Sequence, residues 1–336
     1  MNELVLLFNG LQTPSSGSDF PETFSGIQIP SRPSWHLCKD RYGRPALLVS
    51  IPTEGSRINT PPSIALENLR VEHNIQCRIA QAKKQGDIII RHFSILQCLS
   101  DERALHEYFL LTMSAIIKSL PEALSVDQLS DTVDVLADLF HTLQQAPKQS
   151  VQGLWAELFV IAFAQLPEVM LQAWHDNTDE RYDFSLGAQR VEVKSSGDRT
   201  RRHHFALEQA YPPTGTDVLV ASILVEQAAN GMALGELWDK VREIAGADSD
   251  LLLKVESICI NALGASWSTA RSKRYDRYLA EQSLLCFDIR SMPRVSEDQP
   301  HGITDVRFRA DLSFSRPIDK YSYRGLGPLF NACLTG

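Results

Sequence analysis

The chain has no C-x-x-C pair, and its six cysteines, Cys38, Cys77, Cys98, Cys259, Cys286 and Cys333, are scattered. His73 with Cys77, and His36 with Cys38, lack a second pair at ligand spacing, so no structural zinc is expected. No apolar run approaches the ~18 residues of a membrane span. The opening MNELVLLFNG has no basic leader and no small-residue cleavage site, so no signal peptide is expected. Reduced thiols in a cytoplasmic, membrane-free protein follow as the expectation. An excess of positive charge is missing too. The formal net charge is −8, which argues against a protein that coats nucleic acid non-specifically but leaves room for a locally basic face. G-x-S-x-G, P-loop and H-E-x-x-H signatures are all absent, and RGLGPL (324–329) lacks the strand-turn-helix setting of a dinucleotide fingerprint and reads as a turn.

What is present is ordinary for a soluble globular chain: 336 residues, 43% hydrophobic and 22% charged, enough for two domains or one decorated core. Residues 1–100 read as β-rich. PALLVSIP, IALENLRVEH, IQCRIAQA and DIIIRHFSIL are short branched-aliphatic runs, whereas LQTPSSGSDFPETFSGIQIPSRP reads as a loop or loosely held arm. From Asp101 the pattern turns helical: DERALHEYFLLTMSAIIKSL with Asp101 as N-cap, SVDQLSDTVDVLADLFHTLQQ capped by Ser125, then SVQGLWAELFVIAFAQ up to Pro167. EVMLQAWH, RYDFSL and RVEVKS read as three strands, HHFALEQAY as a short helix, and TDVLVASILVE as a buried strand. That gives α-β-β-β-α-β over 150–226. Helices around LGELWDKVREIAG and LLLKVESICINALG and late strands SLLCFDIRSM and ITDVRFRADLSF complete the chain.

The chemistry concentrates in DFSLGAQRVEVK (183–194). A two-residue type II′ turn at Gly187-Ala188 pairs Leu186 with Gln189, which sets Asp183 opposite Glu192. Lys194, two residues on, shares their face, while Val191 and Val193 point away. Two readings are open: a structural hairpin, or a metal-binding face. Opposed carboxylates repel, and a divalent cation between them removes the repulsion. Glu157 weighs towards the second reading, because it sits in LWAELFVIAFA, a helix apolar nearly all round where an unpaired carboxylate is costly. So does the run SSGDRTRRHH, whose Arg199, Arg201 and Arg202 follow Lys194 directly.

With these residues in place, the region resembles the PD-(D/E)xK nuclease superfamily. The resemblance rests on the α-β-β-β-α-β order, the helix acid and D-x8-E-V-K on a hairpin, with Tyr182 standing where that pattern often has proline. The whole chain is similar to an uncharacterised PD-(D/E)xK-motif family encoded beside DNA methyltransferases and other bacterial defence genes. The resemblance implies an α+β fold: a restriction-endonuclease-like core with a mixed sheet, a β-rich amino-terminal region and an α/β carboxy-terminal region. It implies Mg²⁺, with Mn²⁺ able to substitute, held by Asp183, Glu192 and the Val193 carbonyl. Lys194 would be the catalytic lysine, Glu157 would complete the metal site or orient the lysine, and Gln209 would be the glutamine of the following helix, with His204 and Glu208 as lesser candidates there.

The implied activity is a Mg²⁺-dependent DNA endonuclease, the cleavage subunit of a restriction or phage-defence system. Its partners would be double-stranded DNA and other subunits of that system, with a homodimer as the default assembly. The rival reading is a non-cutting DNA-binding or assembly subunit with the same fold; a nuclease for RNA or single strands is a third. Expected DNA contacts are Ser195, Ser196, Arg199, Arg201, Arg202 and His204. Arg271, Lys273 and Arg274 join them if TARSKRYDRYLA forms a basic, aromatic helix, the alternative being a solvated helix face. The expected division is 1–100 for recognition or docking, 101–149 as a helical connector, 150–229 as the nuclease core and 230–336 as the extension.

Overall fold

A computed structural model describes residues 3–14, 20–30, 32–50, 61–81, 87–122, 124–175, 180–319 and 327–333. They form two compact units, Met1–Gln145 and Ala146–Gly336.

In the first unit α1 (Glu3–Asn9) precedes β1 (Thr23–Ile29), β2 (Arg32–Lys39) and β3 (Pro45–Val49), followed by β4 (Ile64–Ala65), β5 (Leu69–Gln81) and β6 (Ile88–Cys98). Around the sheet the order is β1-β2-β3-β6-β5, and a parallel β1–β5 pairing closes it into a barrel, with β4 added to β5. Closure removes the unpaired edge that an open sheet would expose. Phe24, Cys38, Leu48, Cys77, Ile79 and Phe93 are among the buried residues of one core. Gly26 is required on β1, since a Cβ there would lie 2.5 Å from Cys38 Sγ and 2.9 Å from the Leu37 carbonyl. The expected loop over 11–33 is corrected: Thr23–Ile29 is a strand held on both sides, and residues 15–19 and 31 lie outside the described residues. IALENLRVEH and IQCRIAQA are not two strands with a turn between them. Ile64–Ala65 form the separate β4, and a bulge between Glu72 and Ile75, with Asn74 at φ 56°, lets β5 run on from Leu69 to Gln81. Residues 51–52 of PALLVSIP, 82 of IQCRIAQA and 324–326 of RGLGPL are also outside the described residues.

Two helices complete that unit, α2 (Arg103–Ser119) and α3 (Val126–Thr142). Ser125 caps α3 as expected, in a full capping box with Gln128. Asp101 does not cap α2. Glu102 holds the N-cap position without a side-chain bond, and Asp101 is drawn off into an ion pair with Arg44 at 2.8 Å.

The second unit begins with α4 (Val151–Ala162), capped by Ser150 and buried along most of its length, and α5 (Pro167–Ala173). The expected strand EVMLQAWH is therefore helical as far as Ala173, with Trp174 alone in a bridge, to Phe184. Pro167 starts the helix with φ already set for the first turn, and Met170, Leu171 and Ala173 bury its inner side. Then come β7 (Phe184–Leu186), β8 (Gln189–Ser196), β9 (Arg202–Ala206), α6 (Leu207–Ala210) and β10 (Asp217–Leu224). HHFALEQAY is thus strand first and helix second, because His203 and Phe205 alternate inward with period two. The α-β-β-β-α-β order survives with β9, not EVMLQAWH, as one of its strands.

The rest of the unit is β11 (Gln227–Ala233), α7 (Leu234–Ala245), α8 (Ser249–Leu263), α9 (Trp267–Ala270), β12 (Arg274–Tyr275), α10 (Arg277–Ser283), β13 (Leu285–Asp288), β14 (Arg307–Asp311) and α11 (Pro328–Cys333). The central sheet is mixed, ordered β13-β10-β8-β7, with β10 parallel to β8 and the outer pairs antiparallel. Its α+β character is the expected one. TARSKRYDRYLA is not one helix: Tyr275 is buried in a bridge to β11, and Asp276 caps a new helix by accepting from the Leu279 amide.

Candidate active site

The hairpin follows the register that its turn dictates. Gly187 has φ 57° while Ala188 does not take a positive φ, and Leu186 pairs with Gln189, Ser185 with Arg190 and Phe184 with Val191. One step further places Asp183 against Glu192. The Asp183 Oδ2 accepts from the Val193 amide at 2.7 Å, and its backbone carbonyl accepts from the His175 amide at 3.1 Å.

Glu192 is 3% exposed. Its Oε1 lies 2.5 Å from Lys194 Nζ and accepts from Gln209 Nε2 at 2.8 Å. Its Oε2 is buried and has no hydrogen-bond partner among the described residues. Gln209 is fixed in turn: its Nε2 also reaches the Arg181 carbonyl at 2.9 Å, and its Oε1 accepts from the Ala206 amide.

Glu157 projects from α4, 5% exposed. Gln149 Nε2 donates to its Oε1 and Trp174 Nε1 to its Oε2, the latter at 2.9 Å. Burial nevertheless raises the Glu157 carboxyl to about 7, against the downward pull of those two bonds and with Glu192 adding to the rise. At Asp183, burial and then the Glu192 and Glu157 charges push the carboxyl well above the usual range, opposed by the Val193 amide and Lys194. The three acids and Lys194 thus form one electrostatic cluster.

Cavities border it on two sides. One of about 370 Å³ is lined by Glu157, Asp183, Trp174, Lys148 and His175. The other, about 480 Å³, is lined by Lys194, Gln209, His204, Arg181 and Arg307. Glu180 lines both.

Among the described residues no three His, Cys, Asp or Glu side chains converge on one metal position. The donors that could hold a cation are Asp183, Glu192 and backbone oxygen, and the buried Oε2 of Glu192, without a partner among the described residues, is an acceptor that such an ion would satisfy. A hard divalent ion that keeps several waters fits such a set.

The remaining expected contacts divide. Arg202 and His204 are exposed on β9. Ser195 Oγ accepts from Gln152 Nε2, and Ser196 Oγ donates to Asp198. Several arginines are engaged within the chain. Arg199 pairs with Glu226 at 2.5 Å, and Arg201 donates to Ser222 and to the Ser283 carbonyl. Arg271 reaches Asp239 and lies over Trp238, and Arg274 pairs with Glu236 at 2.7 Å. Lys273 is exposed beside them. Sequence reasoning missed Gln149, Trp174, Arg307 and Arg309. The alternation in RFRAD was visible, but its partner strand was not.

A family model described as "Putative PD-(D/E)XK family member, (DUF4420)" matches residues 5–313. The chain belongs to the DUF4420 family. The match spans most of both units of this DUF4420 protein, including the whole acid–lysine cluster. No curated protein and no solved structure matches it.

Proposed function

We propose that this DUF4420 protein is a Mg²⁺-dependent DNA endonuclease, the cleavage component of a restriction or phage-defence system. One observation carries the reading: Asp183, Glu192 and Lys194 share a face, Glu157 is buried beside them, and Glu192 Oε2 has no partner among the described residues. Folding alone gives no reason to bury three mutually repelling acids, and a cation held by Asp183, Glu192 and the Val193 carbonyl supplies one. Such an ion contributes charge stabilisation at the phosphoryl oxygens and a more acidic water.

The chain's own residues would do the rest. Lys194 orients the attacking water and stabilises charge developing on the phosphate. Glu192 Oε1 fixes the Lys194 ammonium, and Gln209 fixes that oxygen. Gln149 and Trp174 hold both oxygens of Glu157 in place, so that in its ionised form, favoured above about pH 7, it helps to keep Lys194 oriented. Water then attacks in line: the new O–P bond forms as the bond to the leaving oxygen breaks, and the proton the water gives up to solvent is made good by one that solvent returns to the leaving oxygen.

Plasmid nicking with Mg²⁺, and Mn²⁺ in parallel, tests this in wild type, Asp183→Ala and Lys194→Ala. Wild type should nick and both variants should not. Absence of metal-dependent nicking by wild type on every methylation state of the DNA overturns the reading.

A further inference from the structure

β9 and β14 form a two-stranded antiparallel ribbon outside the central sheet, pairing Arg202 with Asp311, His204 with Arg309 and Ala206 with Arg307. Directly paired residues share a face, so His203, Phe205, Phe308 and Ala310 make up the other one. That face is the inner one: His203, Phe205 and Ala310 are buried, and Phe205 stacks on Phe308 with ring centroids 5.9 Å apart. The outer face exposes Arg202, His204, Arg307 and Arg309, with Asp311 as its single acid.

Nothing in the fold asks for this. Arg202 is paired with Asp198 at 3.8 Å, whereas Arg307 and Arg309 have no carboxylate partner among the described residues, and Arg309 stands opposite an imidazole that cannot offset its charge. Arg199, Arg201, Arg242, Arg271, Arg274 and Arg290 are by contrast all engaged within the chain. In a chain with net charge −8, unneutralised guanidinium groups side by side on one strand face point to an anionic ligand.

The ribbon also leads to the acid–lysine cluster. Arg307 and His204 line the 480 Å³ cavity that contains Lys194 and Gln209. Beneath them Lys194 Nζ lies over the Phe205 ring, 5.2 Å from its centroid, which ties the buried face to the lysine. The Leu207 amide donates to the Val306 carbonyl at 2.8 Å, carrying the pairing on to α6, where Gln209 sits. Outward from Lys194 the outer face presents Arg307, then Arg309 with His204 opposite, then Arg202, which is paired with Asp198, in steps of roughly 6.8 Å along the strands. The acids of that cavity, Glu180 and Glu208, come from other elements.

We propose that the outer face of the β9–β14 ribbon is a track for the phosphodiester backbone of the DNA strand entering the site, with Arg307 and Arg309 as its main phosphate contacts. This rests on the nuclease reading of the Lys194 cluster. It adds to the site two residues from β14, about 110 positions beyond Lys194 in the chain.

The test is equilibrium binding of a fluorescently labelled DNA duplex to the full chain in EDTA, over a range of salt concentrations. Relative to wild type, the Arg307→Ala/Arg309→Ala double variant should bind at least tenfold more weakly. Its slope of log K against log salt should flatten by about 2, given roughly 0.9 per phosphate contact. Arg307→Lys/Arg309→Lys should restore most of the slope, because it keeps both charges. Wild-type affinity and slope in the alanine double variant overturn the track. A lysine pair that restores nothing overturns it as well. If wild type still nicks DNA in Mg²⁺ and Lys194→Ala does not, either failure is the ribbon's alone. If wild type neither binds nor nicks, the nuclease reading has failed and the track falls with it.

Discussion

Gln209 Nε2 donates at 2.8 Å to Glu192 Oε1, the same oxygen that lies 2.5 Å from Lys194 Nζ. Two donors on one oxygen leave the other, Oε2, bare in a buried position. The glutamine therefore sets which oxygen of Glu192 faces the lysine and which stays bare.

Gln209→Ala should release Glu192 to rotate. Loss of such an outer partner lowers metal affinity by about 10–100-fold. The Mg²⁺ midpoint for cleavage should rise by that factor, with calorimetric titration of the metal as a second readout. An unchanged midpoint in both would refute the role.

Asp183→Asn should remove cleavage yet raise thermal stability in metal-free buffer. The folded-state pKa of Asp183 lies above its ordinary value, so the folded state favours the protonated form. The stability tied to that proton is present below the usual carboxylate range and is lost as pH rises through the folded pKa. Asparagine keeps an acceptor for the Val193 amide without the charge. Calorimetry should show a higher Tm than wild type at pH 8 and a smaller difference at pH 4. Mg²⁺ should raise the Tm of wild type more than that of the variant.

His203 supplies a pH dependence of opposite sign. Burial, with Lys194 and Arg201 nearby, lowers its pKa from 6.5 to about 4, and its Nε2 lies 2.8 Å from Ser222 Oγ. Between those values the unfolded chain binds a proton that the folded one refuses, so stability falls as pH drops from 6.5 towards 4. The contribution is on the order of 2–3 kcal/mol. Urea unfolding of His203→Gln beside wild type isolates it: the gap between them should narrow or reverse over that window.

Arg242 and Glu256 form a buried pair, with Arg242 Nε at 2.5 Å from Oε1, Nη2 at 2.8 Å from Oε2, and Trp238 Nε1 also donating to Oε1. Glu256→Ala leaves the guanidinium buried without its main counter-charge and should cost about 3–5 kcal/mol. Replacing both residues together, as Arg242→Met/Glu256→Leu, should cost less than that single change. A double-mutant comparison by chemical denaturation decides it.

The hairpin was readable from local rules. A glycine at φ 57° and period-two alternation leave one register, and that register alone opposes Asp183 to Glu192 and sets Lys194 beside them. The same holds for α3, whose capping box is written into Ser125 and Gln128. Segments of five to eight residues were less determinate. EVMLQAWH suits either period, and Pro167 with the burial of Met170 and Leu171 tipped it to helix.

Other features depend on partners far away in the chain. Glu157 could be recognised as a misplaced acid from its apolar helix, but its two donors, Gln149 and Trp174, meet it only once α4 and α5 pack. β9 became a strand because β14, about 100 residues on, supplies its ladder bonds, and this same pairing gathers Arg202, His204, Arg307 and Arg309 on one face. Turn and cap preferences act within a few residues and so were set by the sequence itself. Burial and strand pairing sum over the whole unit, and only the tertiary structure could decide them.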